Sequence, residues 1–481
     1  MAELSSDVFF AGIAELSRML LAKETTAVDL ARAFGRRLET LGPRYNALAL
    51  PLTERAIRQA KAVDAEIDPW RKRGHLHGPL QGIPYGAKDL LSVAGEVTAW
   101  GARPYAAQVF DYDATVIHKL DDAGAPLLGK LAMVELAGGP GYRYASASLT
   151  GPCLNPWDRS RWAGGSSSGS AAAGAAGLTP FAIGSETSGS IVTPASYCGV
   201  TALRPTYGLV SRHGAMALSW TLDKLGPFAR SAEDCGLILQ VIAGKDGKDP
   251  GSAGKSFYYT PQYARAMKDL KVGYAPADFT EHAEPPARAA FAAALAVLKE
   301  LGVPLVEVKW PQFPYGAILS AILAGEEASI FEPLITSGKV NELADAAQIA
   351  GLKASLDLPA KDYLKAQRVR RVIQRDFSQL FAGVDAIIAP ARPGPATRVD
   401  QRLDAPAPAA PASGAAATGF PGIIQAGNLA GLPALVLPCG LADNLPVALQ
   451  VVGAPFSENT LLAIGKEFQS KTDWHKRHPR I

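Results

Sequence analysis

Two stretches of serine, glycine and alanine constrain this chain more than anything else in it: "RWAGGSSSGSAAAGAAG" at 161–177 and "SETSGSIVTPASYCG" at 185–199. Side chains this small leave two options. Either the segments are loose, or backbones pack closely around something reactive. The run "SAAAGAAG" has the composition of a small-residue helix, and "LTPFAIG", between the two knots, reads as a short apolar strand. A third stretch, "LQGIPYGAKDL" at 80–90, sets one lysine, Lys88, among apolar and small neighbours.

Several readings of 164–170 compete. A flexible linker would separate domains, yet a helix-like segment follows directly. A phosphate-cradling loop would need a G-K-[ST] lysine that is missing. "GSSSG" at 165–169 fits G-x-S-x-G with Ser167 as nucleophile, but no apolar strand precedes it. The downstream histidines, His213, His282, His475 and His478, lie in no stretch that resembles a site. A serine nucleophile needs a base in reach, and lysine can serve when histidine is wanting. Its ordinary pKa is about 10.4, and burial can lower it by about 3 units. Ile83, Pro84, Tyr85, Ala87, Leu90 and Leu91 suit that demand. Asp89 would hold the proton on unless an extended strand turns it to the opposite face. On this segment alone, a surface lysine paired with Asp89 is an equal reading.

The chain has 481 residues, 48% hydrophobic and 19% charged, enough for a large core. Its net charge of +3 is thinly spread, with basic runs no longer than "RKR" at 71–73 and "RVRR" at 368–371, so no nucleic-acid partner is expected. Cys153, Cys198, Cys235 and Cys439 stand far apart, which fits reduced thiols rather than a disulfide or zinc frame. His475 and His478 sit in a polar tail and read as solvated, so no metal site and no cofactor are expected. Glu3 and Asp7 stand where a signal peptide would be basic, and no run of about 20 apolar residues appears. The expectation is a cytoplasmic protein without a membrane partner.

Helices are expected over 8–21, 27–41, 231–243, 286–301, 362–381 and 457–470. In the second, Thr26 can cap the start and Gly42-Pro43 the end; Gly302 closes 286–301. "VTALRP", "KVGYAP", "PLVEVKW", "VDAIIAP", "PALVLPCG" and "PVALQVVG" read as strands. Alternating strands and helices imply an α/β fold around a mixed sheet. "WDRSRWAGG" at 157–165 reads as polar loop, 311–380 as a helical insertion or cap, and the Ala/Pro-rich 404–422 as a surface loop.

With these pieces together, "GGSSSGSAAAGAAGLTPFAIGSETSGSIVTPASYCGVTALRPT" at 164–206 closely resembles the core of the amidase signature family. "GPLQGIPYGAKDLL" (78–91), "SWTLDKLGPFARSAEDCGLIL" (219–239), "NLAGLPALVLPCG" (428–440) and "LPVALQVVG" (445–453) match it too. The resemblance implies a single domain over 1–481 with a twisted mixed sheet covered on both faces by helices. Within it fall an N-terminal helical segment (1–60), a catalytic core (61–245), a variable, mostly helical insertion (246–380) and the completion of the sheet (381–481). It implies Ser190 as nucleophile, Ser166 as a relay after a cis peptide bond, and Lys88 as general base. It implies backbone N–H groups of Thr187, Ser188, Gly189 and Ser190 as the oxyanion hole, with Gly165 and Ser167 in support. Met133, Leu136, Tyr142, Tyr144, Phe420 and Ile424 become candidates for the substrate pocket. Ser168 and Ser188 stand where the family often has glycine, Val192 where it often has arginine, and Ala132 where asparagine is common.

The A subunits of glutamine-dependent tRNA amidotransferases are similar too, in "TDWHKRHP" and "SYCGVTALRPTYGLVSRHG". The arginine and the acid with which they hold glutamine are expected near "AGEEASIFEPLITSG" and "AAATGFPGIIQAG", and neither is there. A pocket without paired charges favours a neutral substrate. The resemblance thus implies a stand-alone hydrolase of apolar or aryl amides, with carbamates (urethanes) and some esters in reach. Such an enzyme would act as a monomer or homodimer on a small-molecule amide or carbamate. The alternative is the glutaminase subunit of a tRNA-dependent amidotransferase.

Overall fold

The computed structural model describes residues 5–138, 142–403 and 419–481. The strands, numbered along the chain, are β1 (Leu48–Pro51), β2 (Tyr85–Lys88), β3 (Leu127–Leu131), β4 (Leu154–Asn155), β5 (Asp158–Trp162), β6 (Phe181–Glu186), β7 (Thr201–Arg204), β8 (Lys224–Ala229), β9 (Val272–Tyr274), β10 (Leu305–Glu307), β11 (Ala386–Pro390), β12 (Ala434–Ala442) and β13 (Leu445–Gly453). Eleven of them join in one mixed sheet, in the order β1-β3-β2-β6-β8-β7-β12-β13-β11-β9-β10. β3, β2 and β6 run parallel, as do β11, β9 and β10, and the strands between pair antiparallel.

β2, β6, β8 and β13 are buried at every position, so both faces of the sheet centre are covered. The helix Thr53–Glu66 packs on β3, Ser168–Ala175 on β6, and Arg288–Glu300 and Glu458–Lys471 on β12 and β13. Local sequence explains many of the boundaries. In Ala27–Leu41, Leu30, Phe34 and Leu38 share the buried face, each contributing about 1.5–3 kcal/mol by burial. Thr26 Oγ1 accepts from the Asp29 N–H at 3.0 Å to start that helix, and a turn beginning at Gly42 ends it. Gly302 follows Arg288–Glu300 with φ of 76°.

The helix Tyr315–Thr336 packs against both Ala346–Ser355 and Ala360–Leu380, and it and Ala360–Leu380 also pack on Gly419–Ala430. Ahead of them, β9 and β10 extend the central sheet at its edge, so the range 246–380 is not helical throughout. The expected loop at 404–422 lies outside the described residues as far as 418, and the chain is helical from Gly419.

Two expectations fail. The helix expected over 8–21 divides into Ser6–Phe10 and Ile13–Leu21, with Ala11 and Gly12 extended between them. Residues 158–162, read as polar loop, form β5, which pairs with β4 on one side. On the other, the Trp162 N–H donates to the Thr397 carbonyl at 2.8 Å and the Val399 N–H to the Ser160 carbonyl at 3.0 Å. A polar strand held by a partner so far along the chain leaves no local hydrophobic alternation to read.

Candidate active site

β2 and β6 are adjacent and parallel, so their C-terminal ends lie side by side, the usual place for a site in such a sheet. β2 ends on Lys88, and Ser185 and Glu186 end β6. The helix Ser168–Ala175 packs against both strands. Its small residues serve contact: a side chain at Gly169 would lie 2.5 Å from the Ala132 nitrogen and the Ala47 oxygen. The first serine knot is therefore packed backbone, and Ser166, Ser167, Ser168 and Ser170 are all buried. The Gly165–Ser166 peptide bond is cis.

Lys88 is 0% exposed. Its Nζ donates to Ser166 Oγ at 2.7 Å, Ser185 Oγ at 2.9 Å and Ser167 Oγ at 3.1 Å. Burial lowers the amine from 10.5 to about 7, against the weaker pull of the Asp223 and Glu186 charges. Asp89 turns the other way, onto Lys130 Nζ at 3.1 Å and the Ala99 N–H at 3.2 Å. Ser167 Oγ donates to the Ser185 carbonyl at 3.0 Å and accepts from the Ser185 N–H at 3.2 Å. The Ser167 N–H donates to the Ser190 carbonyl at 3.3 Å, tying the two knots together.

After β6 the chain turns through Thr187, Ser188, Gly189 and Ser190 into the helix Val192–Cys198. Gly189 has φ of 82°, which a side chain would resist. Thr187 Oγ1 donates to Asp223 Oδ1 at 2.5 Å. Glu186 Oε2 accepts from the N–H groups of Ile191 at 2.8 Å and Val192 at 3.0 Å. Its Oε1 accepts from Arg204 Nη1 and Asn428 Nδ2, each at 2.7 Å. Burial pushes the Glu186 carboxyl up, but the charges of Arg204 and Lys224 and the hydrogen bonds from Arg204 and Asn428 together outweigh it and hold the group at about 2. Val192 is buried, and the cation beside this turn comes from Arg204.

Thr187, Ser188 and Ser190 line a cavity of about 410 Å³, with Tyr142, Trp162, Gly165, Tyr197, Leu323 and the loop after β11. A second cavity, about 400 Å³, also reaches Thr187 and Leu218 and is lined by Met216, Trp220 and Ser185. Of the pocket candidates, Tyr142 lies on the Ser190 cavity. Ile424 stands against Gly189, 3.3 Å from where a side chain there would begin. Met133 instead lines another cavity beside Asp89 and Ala99. Leu136 is fully buried in a turn with φ of 49°, and Tyr144 is 44% exposed, away from the cavity wall. The Phe420 side chain lies outside the described residues.

The expectation of a pocket without paired charges is overturned. Glu284, Arg392 and Arg402 line the Ser190 cavity, with Gln401 and Thr397. They come from segments remote from the two in which paired charges are expected. Sequence reasoning misses Arg392, in "APARPG" just after β11, and Ser185, the first serine of the second knot. The signals were there: a cation at the end of an apolar strand, and a hydroxyl two residues before the turn.

The family model described as Amidase matches residues 29–462. The A chain of a glutamyl-tRNA(Gln) amidotransferase from Chloroflexus aggregans is 38% identical, over 96% of this chain and 96% of its own. Among solved structures, one of a vestigial complex that reveals the origins of an s-triazine catabolic enzyme superposes with a TM-score of 0.84 at 31% identity, covering 96% of this chain and 98% of the other. The native peptide amidase of Stenotrophomonas maltophilia superposes with a TM-score of 0.81 at 29% identity, covering 98% of each chain.

Proposed function

The chain belongs to the amidase family, and on that premise we propose that it cleaves a carboxamide C–N bond through an acyl-enzyme on Ser190. The observation that carries the proposal is Lys88, buried, held near neutral pKa and bonded at 2.7 Å to Ser166. Ser190 Oγ attacks the carbonyl carbon. Its proton passes through Ser166 to the Lys88 amine and returns to the departing nitrogen. The oxyanion is met by N–H groups of the turn at Thr187, Ser188, Gly189 and Ser190; losing one such donor costs about 10²–10³ in rate. Water then attacks the acyl-enzyme by the same proton route.

Two substrate readings share this chemistry. The long similarity to amidotransferase A chains supports an ammonia-releasing component, whose assembly would include partner chains and a tRNA. That reading replaces the expectation that no nucleic acid takes part. The likeness to a peptide amidase supports the stand-alone hydrolase. Carbamates and esters follow from the same acyl-enzyme.

The purified chain is to be assayed alone against glutamine, aliphatic amides, an acyl anilide and a carbamate. Turnover of anilide alone supports the stand-alone enzyme; ammonia release from glutamine only beside partner chains supports the amidotransferase component. In either case kcat/KM rises as pH is raised through about 7 and levels off above it, because only the neutral amine accepts a proton. A rate that falls over that interval removes Lys88 as the base.

A further inference from the structure

The segment 217–223 leads into β8 and supplies no group to the acyl-transfer steps, yet it is folded around a buried carboxylate. Asp223 Oδ2 accepts from the N–H groups of Leu218 at 2.8 Å and Ser219 at 2.9 Å. The Asp223 N–H in turn donates to the Ser219 carbonyl at 3.0 Å, which closes the loop on itself. Asp223 Oδ1 reaches outside the loop and accepts from Thr187 Oγ1 at 2.5 Å. Thr187 is the first residue after β6, is 5% exposed and lines both cavities. Glu186 holds the far side of that turn through Ile191 and Val192; Asp223 holds the near side.

A second carboxylate clasps the same loop from outside. Glu326, on the helix Tyr315–Thr336, is buried. It accepts from the hydroxyl of Ser219, from that of Thr221 at 2.7 Å, from the Thr221 N–H at 3.2 Å and from the Tyr363 hydroxyl at 3.0 Å. Arg370, on Ala360–Leu380, donates from Nη2 to the Thr221 carbonyl at 2.7 Å. The helix Tyr315–Thr336 therefore reaches the turn through a continuous line of bonds, from Glu326 to Ser219 to Asp223 to Thr187. Bonds that end on a carboxylate are of the stronger kind. Arg212, Lys224, Lys88 and Glu327 are the charged groups that face Asp223. Toward Lys88, Asp223 acts with Glu186 to favour the ammonium form.

We propose that Asp223 is a positioning residue for acyl transfer: it clamps the Thr187 side chain so that the N–H of that residue faces the oxyanion, and Glu326 steadies the loop that carries it. This rests on the amidase reading above and adds to it a residue that touches neither substrate nor nucleophile. It applies equally to a stand-alone enzyme and to an amidotransferase component. A donor fixed in advance meets the developing charge without rearranging, which is where such a clamp acts on the rate.

The test uses the full chain and whichever amide it turns over fastest, with rates taken across pH and each variant compared at equal folded fraction by circular dichroism. Asp223→Ala lowers the plateau kcat about 10²-fold and leaves KM within about threefold, as expected of a contact made in the transition state. Asp223→Asn keeps the shape, since its oxygen can face the two N–H groups and its amide can donate to Thr187 Oγ1. Its plateau stays within about tenfold of the parent. Because the lost charge favoured the ammonium form of Lys88, the half-point of its profile moves to lower pH by about half a unit or more. Thr187→Val, which keeps the N–H and loses the hydroxyl, lowers the plateau about tenfold, and Thr187→Ser restores it to within about threefold. Glu326→Met lowers it about three- to tenfold. A purely structural role would lower the melting temperature without moving the half-point and without rescue by serine. Asp223→Asn and Thr187→Val stay close to the parent in shape, so they decide the matter where Asp223→Ala does not fold. A half-point that stays or rises in Asp223→Asn, or a parent-like plateau in Thr187→Val, overturns the clamp; a parent-like plateau in Glu326→Met overturns the link to the helix. A parent chain that cleaves no amide overturns the amidase reading and the clamp with it, whereas an active parent with indifferent variants overturns the clamp alone.

Discussion

Lys88 and Lys130 are both fully buried, on the neighbouring strands β2 and β3, and they meet opposite surroundings. Lys130 Nζ lies 3.1 Å from the Asp89 carboxylate and 2.7 Å from Thr98 Oγ1. Lys88, one residue before Asp89, donates to three serine hydroxyls. Burial lowers the pKa of each amine; for Lys130 the Asp89 charge pulls back. The strand's alternation thus sorts two adjacent side chains into different trades. The carboxylate goes to the lysine that supports the sheet, and the lysine left with neutral partners can take up and release a proton.

The largest test of this contrast is Lys88→Met, which removes the proposed base. The expected loss in kcat is about 10²–10⁴-fold, with the circular dichroism spectrum retained. Equal activity in that variant would erase the distinction. Next comes Lys130→Met, which leaves Asp89 buried without its cation. Urea denaturation is expected to show a loss of about 3–5 kcal/mol, the cost of breaking a buried pair from one side. A midpoint unchanged from the parent would mean that Asp89 is held by its backbone donors alone. The smallest effect is expected from Ser185→Ala. It removes one of the acceptors that favour the charged amine, so the pH–rate profile moves to lower pH while the plateau rate stays within about tenfold. A shift to higher pH would show that Ser185 does not favour the ammonium form.

Much of this arrangement is legible in the sequence, and the exceptions have a common cause. The Thr26 cap, the stop at Gly42 and the strands at 201–204 and 434–453 depend on residues close in sequence, and the sequence displays them. The union of 80–90 with the two serine knots is legible only because the family pattern is long. The wall formed by β5 and the loop after β11 is not, since the meeting of Trp162 with Thr397 depends on a pairing between distant segments. Arg392 belongs to that wall, which is why the two expected places, read by themselves, suggest a neutral pocket. The fate of Asp89 stays open until the face its side chain takes is fixed: from the segment alone, Lys88 itself could be its partner.

The Glu186 carboxylate has a further consequence. It spans the turn at residues 187–190, rooted at the end of β6 and gripping Ile191 and Val192 on the far side, while Arg204 and Asn428 brace it from below. The turn is therefore an arch whose abutments are fixed independently of what stands on its crown. Those contacts hold the curve without using the side chain of a crown residue such as Ser188. Any change at the abutment itself would loosen the whole span at once.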